Sequence, residues 1–490
     1  LTHRARMSAA DADDKQDAMR RNRRAYLLTG FATGPDTGIG PLWISVLLLV
    51  MSRDERCDAA SGASGQSCTL EDDWNSTLWD IAGGGACKVD GDFLTPDKYS
   101  HDTDLPGCGD ALEAYRDGTN YTCNCTGDYS FLEGGVRSTF VISLSTALQA
   151  AVALVIAPVV GVYIDIDGHR RKPVFYATII ATFVSMLMMV VLAPNSLWII
   201  SVVGAAISYV TGAWMVATVR QSYLQLTSDT DEGRAAVQSK RLGLSYTGNL
   251  IFILITLATG FALGDEYRGQ QINGILACLV CALWWSGLYL YAAYKFDEVK
   301  GQATHASGWA SGFVELWTTA KGMRENPEAL KFLLTTTLMQ NGWGGSFLVL
   351  GPTYVSVQLD FTTNDTLVMV AIILICGIPA TALFVYLAEK RKIALKKLLL
   401  GDIVLFTAIT AIIPLAFTEP SFGAKLGVWM LGGLLASFAF AFYYTLLWSV
   451  MLTMTPACRV GQYCALHSSM ALLGIVVGPL VAGAVGQASN

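Results

Sequence analysis

Charge is what this sequence has least of. Asp, Glu, Lys and Arg make up 15% of its 490 residues, where soluble domains carry about a quarter. Histidine is rarer still, at five in the whole chain. No glycine-rich phosphate loop ending in Lys-Ser/Thr and no Ser-His-Asp set appears, so nothing points to ATP-driven or hydrolytic chemistry. No His/Cys pattern has zinc spacing, and the acids of residues 52–135 lack the regular alternation of a calcium loop. Residues 1–24 are polar and basic and contain no apolar stretch of a cleavable signal. No enzyme activity, cofactor, metal or nucleic-acid partner is expected.

Long apolar runs are present instead, and 53% of the chain is hydrophobic. A spanning helix needs about 20 mostly apolar residues. Runs between polar breaks predict eleven: 25–51, 136–163, 173–193, 196–219, 242–264, 272–294, 331–356, 367–387, 398–418, 424–452 and 463–485. The predicted fold class is therefore an all-α integral membrane protein. Two connections are long, 52–135 and 295–330. The second divides the spans into a bundle of six (25–294) and a bundle of five (331–490). That division predicts eleven helices of an expected twelve; a protein with eleven natural spans and a luminal C-terminus is the alternative.

Lys and Arg sit unevenly, which sets orientation. Of 33, 25 fall in the N-terminal tail and in alternate connections (164–173, 220–241, 295–331, 388–397, 453–462), and eight fall on the other side. The N-terminus is therefore expected in the cytosol. The first long loop carries six cysteines, Cys57, Cys68, Cys87, Cys108, Cys123 and Cys125, whose even number fits a disulfide framework in an oxidising compartment. It also carries glycosylation sequons at Asn75, Asn120 and Asn124, and a fourth, Asn364, follows span seven on the same side. In the 295–330 connector, Trp309, Phe313, Leu316 and Trp317 share one face of an expected amphipathic helix lying on the membrane.

Polar groups inside spans are costly and usually face a cavity. Span one reads LLTGFATGPDTGIGPLW and places Asp36 near mid-membrane among helix-weakening Gly and Pro. Span seven repeats the pattern with Gln340 and Asn341 before Gly342, Gly344 and Gly345. Interrupted helices in matching positions of two halves point to a central binding site. Tyr246 and Asn249 of span five, one turn apart, are further candidates. His467 in span eleven reads as a packing residue or, alternatively, as a group protonated in an acidic lumen.

The joint GVYIDIDGHRRK, Gly161 to Lys172, links two spans tightly and combines Asp165, Gly168, Arg170, Arg171 and Lys172. Its spacing, with the broken helices and the long central connector, resembles the major facilitator superfamily of transporters. That resemblance implies two helical bundles working by alternating access. It also implies a cytosolic gate of Asp165, Gly168, Arg170 and Arg171, in which Asp165 pairs with Arg220 at the end of span four. RRAYLLTGFATGPDTGIGPLW, and Ser239, Gly243, Tyr246 and Gly248 in span five, are similar to the Atg22-like vacuolar amino-acid effluxers. This implies amino acids as substrate, protons as a candidate coupling ion, and a vacuolar or lysosomal membrane. Two alternatives stay open: a plasma-membrane carrier of sugars, nucleosides or organic ions, and a non-transporting receptor or scaffold on the same fold.

Overall fold

The computed structural model describes residues 14–35, 88–89, 92–93, 138–166, 170–192, 203–204, 206–263, 267–299, 309–322, 327–339, 363–412, 422–455 and 459–488. The helices among these are α1 (residues 14–35), α2 (Ser138–Asp165), α3 (Arg171–Leu192) and α4 (Ala217–Ser222), which continues a π-helical stretch (Tyr209–Val216). They go on with α5 (Asp231–Leu263), α6 (Tyr267–Lys295), α7 (Trp309–Gly322), α8 (Pro327–Met339), α9 (Thr363–Val385), α10 (Leu395–Ile412), α11 (Phe422–Thr453) and α12 (Val460–Ala488). A short antiparallel hairpin pairs β1 (Lys88–Val89) with β2 (Asp92–Phe93).

Five stretches among the described residues are long and apolar enough to cross a membrane: Ala147–Asp165, Asp231–Leu263, Ile272–Lys295, Leu367–Lys390 and Leu426–Thr453. They fall on predicted spans two, five, six, eight and ten. Their outer faces expose Val155, Leu254, Phe261, Leu283 and Ile375. Such a surface suits hydrocarbon, where helices keep every backbone hydrogen bond internal. α5 starts where Thr230 Oγ1 accepts the Gly233 N–H at 3.1 Å, and Asp231 and Glu232 in its first turn complement the helix dipole. At the α9–α10 joint Lys392 takes a positive φ of 51°, a backbone conformation that glycine supplies more readily.

Helices α1–α6 and α8–α12 meet along two seams. α2 runs along α12, and α5 runs along α9. The second helix of each group thus lies on the fifth of the other, the reciprocal pairing of an isologous contact. The α2–α12 seam closes on glycine: the carbonyl of Gly161 fills the place a Cβ on Gly461 would need, and the converse holds too. The α5–α9 seam sets Gly243 against Thr381 and Gly377 against the Tyr246 ring, while Ser239 donates to the Thr381 carbonyl at 3.0 Å. α7 packs on α2 and α12 and leaves Phe313, Val314 and Trp317 exposed.

Candidate functional site

α1 carries a buried polar stripe, Tyr26, Thr29 and Thr33, at helical spacing. It can press against α5 because the glycines are placed for it. Gly34 lies against the backbone of Gly248 and Asn249, and Gly248 against the Phe31 carbonyl. α5 answers with its own buried stripe: Gln238, Arg241, Ser245 and Asn249. The Tyr26 hydroxyl lies 2.5 Å from Gln221 Oε1 and 2.6 Å from Gln238 Oε1, and its ring sits 5.9 Å beneath the Arg241 guanidinium.

Two guanidiniums converge on one hydroxyl. Arg220 Nη1, in the last turn of α4, donates to Thr33 Oγ1 at 3.3 Å and to the Tyr289 hydroxyl of α6 at 2.7 Å. Arg241 Nη1 reaches the same Thr33 Oγ1 at 3.5 Å, and its Nε donates to Gln238 Oε1 at 3.3 Å. Arg241 is 5% exposed and makes no ion pair among the described residues. Sharing Thr33 keeps the two nitrogens within about 7 Å. At an effective dielectric near 20, two like charges at that distance repel by about 2 kcal/mol. Among the described residues further buried polar atoms lack a hydrogen bond: Gln221 Nε2 and Trp285 Nε1, which donate, and Asn249 Oδ1, which accepts. Buried polar atoms are nearly always satisfied, so this cluster has spare donors for an anion and a spare acceptor for a donor group. Thr33 lies eight residues past the start of the first apolar run, roughly 12 Å along the helix.

The 161–172 joint forms a second polar centre. Asp165 is fully buried. Its Oδ1 lies 3.5 Å from Arg171 Nη2, and its Oδ2 accepts the Gln462 backbone N–H at 2.9 Å. It therefore ties α2 to α3 and also sits at the N-terminus of α12, where the helix dipole favours a negative charge. Arg171 further donates to the Ser222 carbonyl at 3.3 Å, and Thr319 of α7 donates to Gln462 Oε1 at 3.2 Å.

Several expectations change on this geometry. Arg220 was expected on Asp165; Arg171 holds Asp165, and Arg220 turns inward to Tyr289 and Thr33. The tight joint brings Arg171 within reach of Asp165 at only six residues' remove. Arg170 is exposed. Tyr246 and Asn249, one turn apart, do not line one site: Tyr246 packs on α9 and α11 while Asn249 faces α1. Three residues leave about 60° between them around a helix, enough to straddle the edge of the seam. His467, read as packing, is buried with neither ring nitrogen hydrogen-bonded, against Trp448 at 4.7 Å and Phe332 at 6.3 Å. Asn364 falls in the first turn of α9. Asp36, Gln340, Asn341, Gly168, Asn75, Asn120, Asn124 and the six loop cysteines lie outside the described residues.

Sequence reasoning missed Arg241, Thr33, Tyr26, Tyr289 and, in α10, Asp402. The signal for Arg241 was there: Gln238, Arg241, Ser245 and Asn249 repeat every three or four residues in a helix that turns apolar.

Comparison with known proteins follows the same lines. The family described as "Vacuole effluxer Atg22 like" matches residues 221–490. No curated protein matches the chain in sequence. The fold is similar to that of the human organic anion transporter MFSD10 (TETRAN), 14% identical with a TM-score of 0.56, over 96% of this chain and 94% of that one. It is likewise similar to the major facilitator proton:xylose symporter XylE from E. coli, 11% identical with a TM-score of 0.56, over 97% and 90% of the two chains. The nucleoside transporter NupG, 12% identical with a TM-score of 0.51, aligns over 95% and 92%. The architecture is that of the major facilitator superfamily.

Proposed function

The chain belongs to the Atg22-like vacuole effluxer family, and on that premise we propose that it is a secondary carrier of amino acids. In this reading it moves them from the vacuole or lysosome to the cytosol by alternating access. The observation that carries the reading is the pair of guanidiniums on Thr33, with Arg241 making no ion pair among the described residues. A substrate carboxylate on Arg241 supplies a counter-charge there and offsets its repulsion with Arg220. Arg241 offers a planar, bidentate fork, with the unpartnered Gln221 Nε2 as a further donor. The substrate amine then needs an acceptor. Asp36 of span one and Gln340 and Asn341 of span seven are proposed for it from their sequence positions, with Asn249 Oδ1 as a further acceptor.

The two halves rock about the α2–α12 and α5–α9 seams. In the orientation taken from charge placement, the Asp165 joint is the cytosolic gate. It holds α2, α3 and the start of α12 together in the conformation seen here, and opening that face requires the Gln462 N–H to leave the Asp165 carboxylate. Tyr246, on the α5–α9 seam, moves with the same rearrangement.

Leucine counterflow in proteoliposomes tests this reading. Arg241→Gln removes a charge-assisted contact worth about 1.5–3 kcal/mol, so exchange should fall roughly tenfold to a hundredfold. Undiminished exchange overturns it. A plain organic anion would satisfy the same two arginines, so an aliphatic monocarboxylate belongs in that assay. If it exchanges as well as leucine, the carrier is an organic-anion one.

A further inference from the structure

One titratable group inside the second group of helices has no part in the mechanism above. Asp402 lies seven residues past the start of α10, roughly 10 Å along it. It is 3% exposed, and among the described residues neither carboxylate oxygen has a hydrogen-bond partner. One turn on, Phe406 packs edge-on against Phe440 at 5.6 Å and Tyr443 at 5.7 Å on α11, so this face of α10 is walled by rings. The Tyr443 hydroxyl on that wall donates to the Thr336 carbonyl of α8 at 3.4 Å.

The described residues around it carry several charged and titratable groups. On α10, Lys396 pairs at 3.5 Å with the exposed Glu328 of α8, which also holds Lys331 at 3.6 Å, and Lys397 is exposed in the same turn. α11 presents Tyr443 and Tyr444, stacked edge to face at 5.4 Å. From α12, His467 stands behind Trp448 of α11. Among the described residues none of these forms an ion pair or hydrogen bond with Asp402.

We propose that Asp402 is the proton site of this carrier: its carboxylate binds one proton in the conformation seen here and gives it up in the alternate one. The proposal rests on the carrier reading above. An ionised acid with no partner is expensive inside a membrane, so in this closed surrounding the carboxylate holds an O–H bond. A metal cation needs about six oxygen ligands, and the ring-lined wall does not provide them; a proton needs only one lone pair. When the α10–α11 contact opens to water, the O–H bond breaks and the proton leaves to that aqueous face. No electrons move. One proton thus crosses per cycle, on a group separate from the arginines that hold the substrate.

The test uses the full chain in proteoliposomes with leucine, measuring accumulation driven by an imposed pH gradient and counterflow at symmetric pH. Asp402→Asn should cut gradient-driven accumulation by about tenfold or more, the scale of a coupling free energy, while counterflow stays within about twofold. Asp402→Glu should keep the coupling but move the pH midpoint of uptake. Wild-type accumulation that ignores the gradient, or an Asn variant that accumulates like wild type, overturns the proposal. If the Asn variant does not fold, the Glu variant decides, and an unmoved midpoint is the overturning result. If wild type exchanges no amino acid, the carrier reading fails by itself. Asp402 is then judged by the pH dependence of melting of the purified protein, which the Asn variant should flatten and which, unchanged, overturns the proton site.

Discussion

The interiors of the two helix groups solve the problem of polar atoms in a membrane differently. Between α1, α4, α5 and α6 the polar side chains interlock: Tyr26 reaches two amides, Thr33 is shared by two arginines, and Tyr289 bonds to both Arg220 and Thr33. Between α8, α10, α11 and α12 the buried atoms without a partner among the described residues include those of two titratable side chains, Asp402 and His467, whereas the first group's include the amides and indole of Gln221, Asn249 and Trp285. Arginine stays protonated at any working pH, so the first group presents a fixed positive field. Asp and His change charge with pH. In the proposed reading this is a division of labour: one side fixes the charge that a substrate matches, and the other carries the groups that can change theirs.

Melting of the purified protein sharpens that contrast, since removing an interlocked group should cost stability and removing an isolated one should not. The largest effect is expected where the two groups are tied together. Asp165→Asn leaves Arg171 buried without its counter-charge, a change that typically costs 3–5 kcal/mol. A melting temperature within experimental error of wild type would remove Asp165 from the joint. Tyr26→Phe comes next. It strips the partner from Gln221 Oε1, while Gln238 Oε1 keeps Arg241, and an unsatisfied buried group costs about 1–3 kcal/mol. His467→Leu should be neutral or stabilising, because it removes two nitrogens already without partners at similar volume. A clear loss of stability there would mean that the His467 ring nitrogens are satisfied in the folded protein.

The smallest effect is expected at the surface. Lys396 and then Lys331 hold the Glu328 carboxyl below its ordinary value of 4.5. Its folded value is depressed, so whatever it contributes is present above pH 4.5 and is lost as the pH falls through that lower folded value. All three side chains are exposed, and such pairs contribute little. Glu328→Gln should leave the melting curve nearly unmoved at neutral pH and slightly less sensitive to acid.

How much of this could be read beforehand depends on the kind of signal. Apolar length is a local property, and the long runs at α2, α5, α6, α9 and α11 were legible as spans. Asp165 was legible because an acid in a short joint between two apolar runs stands out. Its partner was not, since choosing Arg171 over Arg220 needed the path of the chain in space. Arg241 was hidden by Lys240 beside it. Two adjacent cations at a span's edge look alike in sequence, yet Lys240 points out to Glu389 at 3.8 Å while Arg241 is buried against Thr33. Asp402 sits near the start of its span in LLLGDIVLF, where an acid reads as a boundary residue. Only packing against α11 shows that it is enclosed.

The claim at the centre is that the paired arginines hold a substrate carboxylate, and equilibrium binding to the purified wild-type protein tests it most directly. Leucine should bind at least about tenfold more tightly than leucine methyl ester, which keeps the side chain and amine but loses the negative charge. Equal binding of the two would contradict the account.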